Sequence, residues 1–135
     1  MPIDIRGVAP YVQVYDMAAS LRLYRDILGF ELVMKAPDAA DSDVDFALLR
    51  MNGVEIMLNT IYEKENRPAQ PDPSRTAAHQ DTAIYFSCPD VDAAYDHIKS
   101  MGLDIDKPII THYGFKALTI TDPDGYGLVF HWPVR

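Results

Sequence analysis

With 135 residues, 48% of them hydrophobic, the chain can form one compact domain that buries roughly two-thirds of its extended surface, and it is too apolar for a disordered tail. A formal net charge of −8 at pH 7 argues against a nucleic-acid partner, whose phosphates demand Lys and Arg, and mildly favours cationic ligands. No apolar run approaches the ~20 residues of a membrane span, Met1-Pro-Ile-Asp-Ile-Arg6 lacks the basic and apolar regions of a signal peptide, and the single cysteine, Cys88, forbids an internal disulfide, so a cytoplasmic location is expected.

Val8 to Tyr15 alternates and carries Val and Tyr, which predicts a first strand. Asp16 can cap a helix with Ala18, Leu21, Tyr24 and Leu28 near one face, and Gly29 is its left-handed stop. Phe30 to Lys35 begins a second strand, and Ala36 to Asp43 is a polar loop. Val44 to Arg50 and Val54 to Thr60 flank Asn52-Gly53, a pair that tolerates positive φ and signals a tight hairpin. Residues 61–79 carry Pro68, Pro71 and Pro73 among charges and read as a connector, mobile or partly folded over as a lid.

Thr82 to Cys88 predicts the next strand, with Cys88 a small packed residue. Asp90 caps a helix in which Val91, Ala94, Tyr95 and Ile98 recur at helical spacing, and Gly102 ends it. Leu103 to Asp106 reads as a short strand and Pro108 to Gly114 as a loop. Phe115 to Thr121 and Tyr126 to Trp132 then form a hairpin around Asp122-Pro123-Asp124-Gly125, with Pro and Gly where a type I turn wants them.

The two halves repeat one another. Asp16 corresponds to Asp90, Gly29 to Gly102 and Gly53 to Gly125, so the offset drifts from 74 (90 − 16) through 73 (102 − 29) to 72 (125 − 53). The chain is therefore expected to be one domain, residues 1–135, of two β-α-β-β-β modules at about 8–60 and 80–132. A duplicated half-barrel creates a cleft at its centre of pseudo-symmetry.

Strand parity separates two faces. Val12, Val14, Ile56, Leu58, Ile84, Phe86, Leu128 and Phe130 are uniformly apolar and should meet the helices. The opposite face carries Ala9, Tyr11 and Gln13; Glu55, Met57 and Asn59; Ala83, Tyr85 and Ser87; and Gly127, Val129 and His131. That mixture of apolar walls and a few hydrogen-bonding groups suits a ligand cleft. Tyr11 and Tyr85 offer π surfaces at comparable positions. Tyr113 and Phe115 flank Gly114 in a loop. Glu55 is a candidate base or cation binder, or a solvated carboxylate. His131 lines the cup or sits at its rim beside Trp132. His79 and His97 read as peripheral. No Ser-His-Asp order, phosphate loop or CxxC pattern is present.

Three stretches carry a family resemblance: Asp16-x-x-x-Ser20-x-x-x-Tyr24-x-x-x-Leu28-Gly29-Phe30, Asp90-Val-Asp-Ala-Ala-Tyr95 and Thr121-Asp-Pro-Asp-Gly-Tyr126. With them the chain resembles the vicinal oxygen chelate superfamily, which includes glyoxalase I, extradiol dioxygenases, fosfomycin resistance enzymes and bleomycin resistance proteins. The resemblance implies an α+β fold whose two modules form a curled eight-stranded mixed sheet, a loop at Tyr113 and Phe115 that overhangs the cleft, and a homodimer. The family's enzymes hold a divalent metal with His or Glu at four strand positions, which fall here on Ala9, Met57, Ala83 and Val129. None of these ligates a hard divalent ion, so no metal and no cofactor are expected. The leading expectation is a protein similar to the bleomycin resistance group, which sequesters an apolar or aromatic, neutral or cationic small organic ligand. The ligand residues expected are Tyr11, Gln13, Glu55, Met57, Asn59, Tyr85, Ser87, Tyr113, Phe115, Val129 and His131. The alternative is a metal-independent lyase or isomerase with Glu55 or His131 as general base.

Overall fold

The computed structural model describes residues 2–134; Met1, which opens the N-terminal stretch read above, and Arg135 lie outside them. The chain divides at Arg67 and Pro68 into two compact units. The first contains β1 (Tyr11–Val14), α1 (Met17–Leu21), β2 (Glu31–Ala36), β3 (Phe46–Met51) and β4 (Val54–Thr60). The second contains α2 (Pro73–His79), β5 (Ala83–Ser87), α3 (Val91–Ser100), β6 (Ile109–Ile110), β7 (Phe115–Thr121) and β8 (Gly127–Pro133). The architecture is α+β, and both expected β-α-β-β-β modules are present. Their eight strands hydrogen-bond as two four-stranded mixed sheets, ordered β1-β4-β3-β2 and β5-β8-β7-β6.

In the first unit β1 runs parallel to β4, and β4, β3 and β2 pair antiparallel. Asn52 (φ 49) and Gly53 (φ 82) both adopt the left-handed conformation that a two-residue hairpin turn demands. The core is the predicted apolar parity: Val12, Val14, Ile56 and Leu58 are buried together with Met17, Leu21, Tyr24 and Ile27. The Asp16 carboxylate accepts from the Ala18 and Ala19 amides and caps α1. After Leu21 the helix widens to a π turn over Arg22–Ile27, in which the Leu28 amide reaches the Leu23 carbonyl at 2.8 Å. The first strand begins at Tyr11, later than expected, because Pro10 has no N–H to give a ladder. Its carbonyl still accepts from the Met57 amide at 2.8 Å.

The second unit repeats the plan. β5 runs parallel to β8, and β8, β7 and β6 pair antiparallel. Leu118, Ile120, Leu128 and Phe130 are buried with Val91 and Ile98 of α3, whose N-terminus Asp90 caps. Two sequence expectations are corrected. Leu103 to Asp106 is not a strand; the sixth strand is Ile109–Ile110, inside the stretch read as a loop. Leu103 and Ile105 alternate with Asp104 and Asp106 as a strand would, but β7 pairs instead with Ile109 and Ile110, which follow Pro108 and meet Ala117 and Lys116.

The second correction concerns residues 61–79, read as a connector. They hold a short 3-10 turn at Lys64–Asn66 and the helix α2. Asp72 accepts from the Ser74 amide and Pro73 occupies the first turn, a favourable start for a helix. α2 packs against the β7–β8 turn. There Asp122 Oδ1 accepts from the Asp124 and Tyr126 amides, and the Gly125 amide donates to the Asp122 carbonyl. His79, read as peripheral, stacks on Tyr126 with centroids 4.1 Å apart, and its Nδ1 lies 2.7 Å from the Asp124 carbonyl oxygen. That nitrogen therefore carries the proton, since a carbonyl can only accept. His97 is exposed, as expected. Cys88 is half-buried, its thiol donating to the Asp90 carbonyl at 3.7 Å.

Candidate ligand-binding faces

Strand register arranges the open face of the first sheet in rows. Tyr11, Met57, Leu48 and Met34 stand side by side across all four strands. Tyr11 and Met34 are 52% and 51% exposed, so a methionine-rich apolar stripe runs from edge to edge. Gln13, Asn59, Phe46 and Ala36 form the next row. Gln13 and Asn59 are half-buried, and the Asn59 amide donates to its neighbour's carbonyl, Thr60 O, at 3.1 Å.

On the other side of the stripe lies an ionic row, Glu55, Arg50 and Glu31. Glu55 Oε2 accepts from Arg50 Nη2 at 2.6 Å and from Nε at 3.0 Å. Glu55 thus forms an ion pair with Arg50 that is partly open to solvent. Arg50 was not among the expected site residues, yet the hairpin turn implies it: if Met51 pairs with Val54 around Asn52-Gly53, then Arg50 must face Glu55.

On the open face of the second sheet, Tyr85, Val129 and Thr119 form one row, and Ser87, His131, Ala117 and Ile109 the next. Tyr85 takes the place of Tyr11, and Val129 that of Met57, in the equivalent parallel pairing. Val129 is buried at 5% exposure and serves as floor; Ser87 is exposed beside His131. Beside this floor the aromatic rings follow one another in a series. Tyr85 meets His131 edge-on with centroids 5.1 Å apart and an interplanar angle of 85°. Phe115 stacks on the same imidazole at 5.1 Å and 23°. Tyr113 tilts against Phe115 at 5.9 Å, and His112 lies edge-on to Tyr113 at 5.0 Å. Gly114, with φ +87, makes the bend that aims Tyr113 and Phe115 at each other. The Thr111 hydroxyl, accepting from the Phe115 amide, holds that bend.

These arrangements can be set against the four strand positions where metal enzymes of the resembling family carry His or Glu. Ala9, Ala83 and Val129 have no donor atom, and Met57 offers only a thioether. The nearest carboxylate along β4, Glu55, is bonded to Arg50. The residues present do not fit a hard divalent ion, and among the described residues no group of three His, Cys, Asp or Glu side chains stands ready to hold one.

The Glyoxalase/Bleomycin resistance protein/Dioxygenase superfamily profile matches residues 7–130. The chain belongs to this superfamily. No curated protein sequence matches it. Among solved structures it is similar to a virulence protein of Salmonella typhimurium, with 21% identity, coverage of 98% of this chain and 99% of that chain, and a TM-score of 0.67. It is similar to a bleomycin-binding protein complexed with bleomycin, with 16% identity, 94% and 98% coverage and a TM-score of 0.69. It is also similar to a lactoylglutathione lyase from Agrobacterium tumefaciens, with 15% identity, 95% and 94% coverage and a TM-score of 0.66. At these identities the likeness is one of fold. The glyoxalase-like superfamily therefore supplies the scaffold, and this chain's own side chains set what its open faces can hold.

Proposed function

We propose that this superfamily member is a metal-free binding protein that sequesters a planar, apolar or aromatic small molecule, neutral or cationic. The continuous series of rings Tyr85, His131, Phe115 and Tyr113 carries the reading. Tyr85 and Tyr113 are 57% and 59% exposed, and exposed rings fixed against one another offer a π surface at little cost in side-chain entropy. The Tyr11–Met57–Leu48–Met34 stripe gives the first unit an apolar face of its own. The net charge of −8 disfavours anions. The engagement of Glu55 by Arg50 speaks for binding over base catalysis at that residue. The partner is thus a small organic ligand and not a nucleic acid. The reading includes a homodimer in the cytoplasm: the outer strands β2 and β6 leave Val33, Met34, Ile109 and Ile110 exposed, and open apolar edges call for cover.

Calorimetry on a panel of cationic aromatics, neutral aromatics and small anions tests the reading. Aromatic cations are expected to bind best, and Tyr85→Ala to weaken them by about 0.5–2 kcal/mol through the lost cation–π contact. On the first unit's own apolar stripe, Met57→Glu should weaken neutral aromatics, by placing an unpaired carboxylate there. Preferential anion binding, or folded variants that both bind as the wild type does, would remove this function.

A further inference from the structure

On the reading that the ring-lined face of the second unit binds a planar organic cation, we propose that His131 is its charge gate: the face holds the cation while the imidazole is neutral and releases it when the imidazole gains a proton. The imidazole lies within the ring series, between the edge-on Tyr85 and the stacked Phe115. A ligand spread over these rings touches it.

The groups that face His131 can be named element by element. β5 presents Tyr85 and Ser87, β7 presents Phe115 and Ala117, and β6 ends the row with Ile109. β8 itself places Val129 and Pro133 at the same parity. The loop before β7 adds Tyr113, with His112 behind it. Lys116 has the opposite parity and pairs with Asp92 of α3. The titratable groups on this side are therefore two phenols and two imidazoles. No carboxylate on these elements stands ready to neutralise an imidazolium at His131.

Two consequences follow from that neighbourhood. The face of Phe115 accommodates an imidazolium as readily as an imidazole, so protonation leaves that stack standing. A bound aromatic cation would then sit about one ring spacing, roughly 5 Å, from a second positive charge. Repulsion at that distance in a partly wetted site weakens binding about five- to tenfold. By linkage, the cation must also expel a proton when it binds at mildly acid pH.

The probe is 1-methylquinolinium, a planar aromatic cation whose charge does not change with pH, beside naphthalene as its uncharged counterpart. Calorimetry is run at about pH 8 and about pH 5, which bracket imidazole titration. The wild type is expected to bind 1-methylquinolinium about five- to tenfold more weakly at the lower pH, to bind naphthalene alike at both, and to release protons on binding the cation when buffers of different ionisation enthalpy are compared. His131→Gln should abolish the pH dependence. Proton release in the wild type reads the gate independently of whether that variant folds. A flat wild-type profile, with Tyr85→Ala still weakening the cation, overturns the gate and leaves the binding reading in place. A pH dependence that survives His131→Gln, or disappears only in His112→Gln, also overturns the gate. Absence of 1-methylquinolinium binding at both pH values removes both ideas.

Discussion

At Gly125 two demands meet in one residue. Its φ is +93, and a Cβ there would lie 2.3 Å from the Thr76 carbonyl oxygen. Gly125→Ala must therefore bear the left-handed backbone cost and also push α2 away from the turn, and a loss of roughly 2–4 kcal/mol is expected in denaturant unfolding. Gly53 provides the contrast: its φ is +82, but nothing lies within 4 Å of its added Cβ. Gly53→Ala should cost about 1–2 kcal/mol, the conformational cost alone. Equal losses at the two glycines would mean that α2 does not rest on the turn. Cys88 gives a chemical prediction at the same scale. Burial pushes its thiol up, an effect that the hydrogen bond to the Asp90 carbonyl only partly opposes. It should react with an aromatic disulfide reagent more slowly than a free cysteine at neutral pH. Faster reaction would place it in a different environment.

The elements show which signals in the sequence carry across space. The hairpin at Asn52-Gly53 is legible because only a few residues accept the two positive φ angles, and its register follows at once. Face parity is equally legible, and it places Tyr11, Met57, Tyr85 and His131 on the open sides of their sheets. The contacts between Tyr113, Phe115 and His131 are not legible, because they depend on the bend at Gly114 and on hydrogen bonds from residues that no alternation relates. Strand β6 escapes notice for a similar reason: two isoleucines become a strand only when β7 lies beside them. In α2 the signal Asp72-Pro73 is present but outweighed by the surrounding prolines. Asp72→Ala should destabilise that helix by about 0.5–2 kcal/mol, read as earlier hydrogen exchange of its amides. Arg25 of the π turn carries a pH prediction. It binds Asp41 at 2.8 Å and Asp26 at 2.7 Å, and its hydrogen bonds hold both carboxyls below the usual carboxylate range. Groups whose folded-state pKa is depressed stabilise the fold above their unfolded values and lose that contribution as pH falls through the folded ones. Arg25→Gln should therefore cost stability near neutrality, about 0.5–1 kcal/mol for such partly exposed pairs. The difference from the wild type should vanish in strong acid. A difference independent of pH would assign Arg25 a packing role only.

For the whole molecule, the proposed homodimer predicts sedimentation at twice the 15.2 kDa chain mass at micromolar concentration, and a monomer mass would remove it. Protein purified without an affinity tag is expected to carry far less than one divalent metal per chain; a stoichiometric, tightly held ion would overturn the metal-free reading. Both tests bear on a molecule in which, among the described residues, every backbone ladder closes within one unit. The same parallel pairing that sets Tyr11 beside Met57 sets Tyr85 beside Val129, yet one face became methionine-rich with an ion pair and the other became a chain of rings. A substitution on either open face leaves the other sheet's register untouched. Descent can then alter what one half prefers while the other half keeps its inherited preference, so the duplication has turned a single selectable trait into two that vary separately.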